Sequence, residues 1–252
     1  MENVLLEIEK LSKRYKNKEV VSRESFKILE GDILGFIGPN GAGKSTSINM
    51  FTTIVSPDSG DIYYKGKSIK NQQNVFKSAI GVVPQELAIY EDLSAYDNVK
   101  FFCSLYGFRG NELKSRTKEA LEFVGLWGRH KELPSKFSGG MKRRLNIACS
   151  IAHSPKILIM DEPTVGIDPQ SRNKIMEAIK TINKNGTTII YTSHYMEEIE
   201  ALCNRIVLID KGVILEDLDK SVYKDKYLKL GCKTLEDIFL YLTGTNLRDL
   251  EE

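Results

Sequence analysis

The chain has 252 residues, 41% hydrophobic and 28% charged, enough to bury a substantial core in one domain with room for a subdomain. Lys and Arg number 36 against 34 Asp and Glu, and a formal net charge of +2 excludes the strongly basic field that gathers nucleic acid or anionic lipid. No stretch approaches the roughly 18–20 apolar residues needed to cross a bilayer. The opening, MENVLLEIEKLSKRY, carries acids where a secretory leader needs basic residues and an unbroken apolar run, so a cytosolic chain is expected.

In chain order, residues 4–8, 25–28 and 32–37 read as short strands, the last an apolar run ending in glycine. A glycine-rich turn then opens a helix near Lys44. Residues 61–65 and 80–83 read as further strands, and 94–107 and 111–125 as helices ending at glycines. Met141, Leu145, Ala148 and Ala152 recur at helical spacing before Pro155, and 156–160 is a buried-strand candidate. Ile175, Ile179 and Ile182 share a helix face, and 187–191 and 205–210 read as strands. Alternating strands and helices imply an α/β fold with a mostly parallel sheet. Beyond Ser221, Leu235, Ile238, Phe239 and Leu242 form a helical stripe expected to pack on the main domain. Cys103, Cys149, Cys203 and Cys232 lie far apart in apolar stretches without metal-site spacing and read as reduced core residues.

Residues 38–45, GPNGAGKS, fit G-x-x-x-x-G-K-[ST] between a strand and a helix. Gly38, Pro39, Asn40, Gly41, Ala42 and Gly43 would turn backbone N–H groups onto a β-phosphate, which bulkier side chains would obstruct. Lys44 would neutralise the β- and γ-phosphates, Ser45 would offer a hydroxyl to Mg²⁺, and Thr46 would meet the α-phosphate side. In KILIMDEP, an apolar run ends in Asp161 and Glu162. Buried carboxylates need a partner, and a Mg²⁺-nucleotide supplies one: Asp161 would hold the metal shell and Glu162 would serve as general base toward water.

With these motifs in place, the chain resembles the ABC ATPase family over nearly its whole length. FSGGMKRR, residues 137–144, resembles the ABC signature, with Ser138, Gly139 and Gly140 presenting N–H groups to a γ-phosphate. Met141 departs from the glutamine common there, a change that bears on a side-chain polar contact and not on the backbone cradle. The resemblance implies that Gln85 in VVPQE touches Mg²⁺ and the attacking water, that His194 contacts the γ-phosphate, that Asp168 lies at a dimer interface, and that Tyr15 stacks on adenine. Asp168 before Pro169 is also a good helix N-cap. The family's fold is a P-loop NTPase with a mostly parallel core sheet, an antiparallel β subdomain and a helical subdomain. Here that gives an ATPase domain over 1–220, a helical subdomain about 86–155 and a C-terminal extension over 221–252.

FSGGMKRR, DEPTVGIDP and TLEDIFLYLTG look most like the ATPases of bacterial-type drug, antibiotic or ion exporters. The resemblance implies ATP and Mg²⁺ as cofactors, a second ATPase subunit that makes a homodimer or heterodimer, and an integral membrane permease that holds the chain at the inner face of the membrane. Nucleic acid is not an expected partner. The permease contact is expected around residues 89–106, where Tyr90, Phe101, Phe102 and Tyr106 line a docking cleft or, for most of them, pack in the core. Two other classes share the nucleotide motifs: a soluble ABC ATPase acting on ribosomes or nucleic acid, disfavoured by the lack of a fused second ATPase domain or inserted coiled coil, and a non-hydrolytic switch, disfavoured by Glu162 with His194.

Overall fold

The computed structural model describes residues 3–244. The expected extension over 221–252 therefore lies partly outside the described residues. One compact unit runs to Gln73 and resumes at Ile190; the other is Asn74–Ile189.

In the first unit, β1 (Val4–Tyr15) and β2 (Lys18–Leu29) form a long antiparallel hairpin. β3 (Ile33–Ile37) leads through the glycine loop to α1 (Lys44–Phe51), and β4 (Ser59–Tyr64) and β5 (Lys67–Ser68) follow. β2, β1, β4 and β5 lie in that order as an antiparallel sheet. The hairpin is far longer than its sequence suggests because bulges break the two-residue alternation: register shifts fall between Ile8 and Leu11 and between Leu11 and Lys13, with Lys10 at φ 49° and, on β2, Arg23 at φ 52°. Phe26 of β2, Phe36 of β3 and Phe51 of α1 meet at centroid distances of 5.8–5.9 Å, packing the phosphate helix onto both strands.

The second unit contains α2 (Gln73–Ala79, its first residue in the first unit), β6 (Ile80–Val83), α3 (Ala95–Leu105), α4 (Gly110–Phe123), α5 (Gly139–Ile151), β7 (Ile157–Asp161) and α6 (Pro169–Lys184). β6 and β7 pair in parallel, Val82 opposite Ile159. α5 closes tightly on β6: Ser150 Oγ donates to the Val82 carbonyl at 2.6 Å, and a Cβ on Gly81 would lie 2.4 Å from the Ser150 carbonyl oxygen. This unit takes in more of the chain than the helical region expected from sequence.

β8 (Thr188–Thr192) carries the chain back to the first unit, which continues with α7 (Met196–Leu202), β9 (Arg205–Asp210), β10 (Val213–Asp219), α8 (Lys220–Leu228) and α9 (Leu235–Thr243). β3 runs parallel to β9, and β10 antiparallel to β9. α9 opens with a Thr234–Asp237 capping box, buries Leu235 and Ile238, and lies against α7, where the Leu235 N–H donates to Glu200 Oε1 at 3.1 Å. All four cysteines are buried and unpaired.

Replacing Phe51 with Ala removes one ring of the trio beneath α1 and should destabilise the protein by about 3–5 kcal/mol. A lower urea midpoint would show it; an unchanged midpoint would mean that the trio contributes little.

Candidate functional site

The first unit holds the glycine loop. The Lys44 ammonium donates to the carbonyls of Gly38 at 2.7 Å and Pro39 at 3.0 Å, so it lies along the loop instead of reaching into solvent. Ser45 is exposed and Thr46 half-buried at the start of α1. The glycines are fixed by packing: a Cβ on Gly38 would lie 2.2 Å from the Ile209 carbonyl oxygen, and one on Gly43, at φ 109°, would lie 2.8 Å from the Val20 carbonyl oxygen. The Gly212 N–H donates to the Ala42 carbonyl, and the Ser22 N–H to the Gly212 carbonyl. Backbone dipoles and an ammonium thus converge on one loop ahead of a helix N-terminus, a device for binding polyphosphate.

Tyr15 ends β1 with 45% of its surface exposed, its ring 5.7 Å from the Lys13 ammonium, open to stack on a flat ring. His194 is exposed just past β8. Its backbone is set by a buried network around Glu198 of α7, whose Oε2 accepts from Tyr191 at 2.8 Å and from Ser193 at 2.7 Å, while Ser193 Oγ accepts the Tyr195 N–H at 3.0 Å.

In the second unit β7 is buried until Asp161, which is half-buried, and Glu162 follows at 7% exposure. Glu162 has φ 47°, a left-handed conformation rare for a residue with a Cβ and concentrated at functional positions. Gln85 is exposed beyond β6, and its carbonyl is held by Arg143 of α5. Arg143 is 5% exposed, and its guanidinium donates to the Pro84 carbonyl at 2.7 Å and the Gln85 carbonyl at 2.6 Å. Arg143 was not singled out from sequence; the one available signal was a charge in an otherwise apolar helix stripe.

Ser138 and Gly139 are exposed at the start of α5, and Gly140 is buried. Ser138 caps the helix by accepting the Met141 N–H at 3.3 Å. Asp168 caps α6 by accepting the Ser171 N–H at 2.9 Å, and this bond holds its carboxyl below the usual carboxylate range. The two helix starts are in contact: a Cβ on Gly140 would lie 2.3 Å from Ser171 Oγ and 2.5 Å from its Cβ. Met141 Sδ accepts from Arg129 at 3.3 Å.

The aromatic stretch differs from the core-packing expectation. α3 buries Ala95, Asn98, Val99 and Cys103, so the helical period turns Phe101 and Leu105 outward, while Tyr106, just past the helix, stacks on buried His153 and donates to the Ile80 carbonyl at 3.4 Å. Tyr90 (50% exposed), Phe101 (38%) and half-buried Phe102 pack mainly on one another, with centroids 5.3–6.0 Å apart. Asn98, also unsuspected from sequence, holds the preceding loop through the Tyr90 N–H and the carbonyls of Tyr90, Leu93 and Ser94.

A glycine loop between a β-strand and a helix, with Lys44 laid along it, defines a P-loop nucleotide-binding protein. Residues 21–165 match the ABC transporter family model. The linearmycin resistance ATP-binding protein LnrL of Bacillus subtilis is 46% identical over 94% of this chain and 78% of its own length. The Nod factor export ATP-binding protein I of Paraburkholderia xenovorans is 36% identical over 94% and 77%. A solved dimeric structure of MJ0796, a bacterial ABC transporter cassette, superposes with a TM-score of 0.77 at 25% identity, covering 85% of this chain and 98% of that one. The chain belongs to the ABC transporter ATP-binding family and is an ATP-binding, ATP-hydrolysing subunit of that class.

Gly140→Ala should lower stability by about 1–3 kcal/mol through overpacking against Ser171. The double variant with Ser171→Gly should recover most of that loss in denaturant melts; additive losses would disprove the contact.

Proposed function

We propose that this chain is the ATPase of an exporter, working as a pair of ATPase subunits attached to a separate membrane permease at the inner face of the membrane. The observation that carries the reading is the phosphate loop bearing Lys44 in a chain whose relatives bear the names of an export ATPase and an antibiotic-resistance ATP-binding protein. Among the described residues no helix is long and apolar enough to cross a membrane, so the transport path is assigned to the permease.

Gly38 to Gly43 wrap the β-phosphate with N–H groups, Lys44 offsets the phosphate charge, Thr46 meets the α-phosphate side, and Tyr15 stacks on adenine. Oxygen donors from Ser45, Asp161 and Gln85 suit Mg²⁺, which when bound draws charge from the phosphate oxygens. Glu162 accepts a proton from the attacking water, and His194 hydrogen-bonds the γ-phosphate. Ser138, Gly139 and Gly140 face the nucleotide of the opposite subunit and Asp168 lies along that interface, so each site is complete only in the dimer. Closure around two nucleotides and reopening after hydrolysis then drive the permease between states. Tyr90, Phe101 and Leu105 are the exposed apolar contacts offered to it.

Glu162→Gln should retain ATP binding while turnover falls about 10²–10⁴-fold, the usual contribution of a positioned general base. Nucleotide binding and phosphate release measured on the same protein check this, and unchanged turnover would remove Glu162 from the chemistry. Tyr90→Ala with Phe101→Ala should leave basal ATPase activity intact while reducing co-purification of a multi-span membrane protein from gently solubilised membranes. Equal recovery of that protein would place the docking surface elsewhere.

A further inference from the structure

Glu24 of β2 sits on the core-facing side of its strand with 1% of its surface exposed, in line with Phe26 and Ile28. None of the phosphate-binding roles uses it. Its Oε1 lies 2.6 Å from Ser47 Oγ on α1, itself fully buried, and its Oε2 has no hydrogen-bond partner. Ser47 Oγ lies in turn 3.2 Å from the carbonyl oxygen of Gly43, the residue that immediately precedes Lys44.

The donor count decides how this chain of contacts is wired. A serine hydroxyl has one hydrogen, so it cannot donate fully to both an anionic carboxylate and the Gly43 carbonyl. A neutral carboxyl removes the conflict: Glu24 donates its own hydrogen to Ser47 Oγ, and Ser47 spends its hydrogen on Gly43. An ionised Glu24 would instead capture the serine hydrogen and leave the Gly43 carbonyl with the Ser47 N–H alone, at 3.0 Å. The unpartnered Oε2 also suits the neutral form, since a buried anionic oxygen without a donor is far more costly than a carbonyl oxygen without one.

We propose that Glu24 is a positioning residue for the nucleotide: its buried carboxyl donates to Ser47 Oγ, whose own hydrogen then joins the Ser47 N–H in holding the Gly43 carbonyl at the start of the phosphate-binding helix. The inference rests on the ATPase reading and deepens it. Burial lifts the Glu24 carboxyl to about 8, with the Ser47 contact pulling less strongly the other way. The charged groups on the surrounding elements are engaged elsewhere or exposed. From α1, Lys44 is bonded to the Gly38 and Pro39 carbonyls. From β1, Leu11 stands opposite Glu24, Lys13 is paired with Asp58 and Glu7 with Lys27, while Glu9, Lys10 and Arg14 are exposed. From β10, Asp217 is bonded to Arg205, Glu216 to Lys226 and Tyr227, and Asp219 is exposed. β3 carries no titratable side chain.

The contact reaches the phosphate loop at Gly43, which also rests on β2 close to the Val20 carbonyl oxygen. Losing the hydroxyl contact leaves the Gly43 carbonyl on the Ser47 N–H alone and so weakens the hold on the residue joining the glycine turn to Lys44. Nucleotide binding should therefore favour the protonated carboxyl and weaken as Glu24 ionises.

The test is MgATP affinity from about pH 6.5 to 9.5, a range spanning the raised carboxyl pKa, on the full chain and on Glu24→Gln and Ser47→Ala. The glutamine amide donates to Ser47 at every pH, so the Gln variant should bind as tightly as the parent at the acid end and hold its affinity where the parent loses it. The expected gap at the alkaline end is about tenfold if binding raises the Glu24 pKa by one unit. Ser47→Ala should bind more weakly throughout and lack the Glu24-dependent limb. Titration of ATP and of Lys44 is common to all three proteins, so the difference between profiles is the readout. Parallel profiles for parent and Gln variant overturn the assignment, as does a Gln variant that differs in melting temperature but not in affinity at any pH. A parent protein that binds no MgATP overturns the ATPase reading as well, which separates the two failures.

Discussion

The phosphate loop is held in place by backbone on two sides, and the placement of Gly38 to Lys44 depends on that confinement. Gly38 packs against the Ile209 carbonyl at the end of β9, and Gly43 against the Val20 carbonyl of β2. The Gly212 N–H reaches the Ala42 carbonyl while its own carbonyl accepts from Ser22, tying the β9–β10 turn, the loop and β2 together. A loop fixed in this way presents its N–H groups in a preset arrangement, and little reorganisation is left to oppose binding. The same confinement explains why Lys44 can be 7% exposed and still satisfied by loop carbonyls.

The second unit uses a different device, in which side chains hold loops by their carbonyls. Arg143 fixes the Pro84–Gln85 turn, Asn98 fixes residues 90–94, and Arg144 donates to the Val124 carbonyl at 2.7 Å. Two of these residues belong to the helix that starts at the signature motif. A shift of α5 would therefore be felt directly at Gln85, a physical route by which the signature and the glutamine turn can move as one element.

Much of this was legible in the sequence because the informative residues are contiguous. GPNGAGKS, the apolar run into Asp161 and Glu162, and Ser138 before two glycines each declare local geometry on their own. The strand at 80–83 and the helix near Lys44 stand where the pattern put them. The hairpin extent was not legible, because bulges at Lys10 and Arg23 destroy the period-two pattern on which a strand is recognised. β10 escaped notice since VILEDLD is half exposed along its length, and α7 because it has only seven residues. Glu24, Arg143, Asn98 and Glu198 were invisible for a further reason: each is a polar side chain whose partner lies outside its own element, and only folding shows that it is buried and bonded. The outward face of α3 was misjudged because aromatic side chains suggest a core until the helical phase is known.

The burial of every cysteine has a practical consequence. Desolvation raises the thiols of Cys103, Cys149 and Cys203 above their ordinary range, and Cys232 is only 8% exposed, so little reactive thiolate is presented to solution. A single cysteine introduced at an exposed position would then be the dominant target for maleimide chemistry in the folded protein. The native chain thus comes close to a cysteine-free background, suited to carrying one fluorophore or spin label through a catalytic cycle without first rebuilding its core.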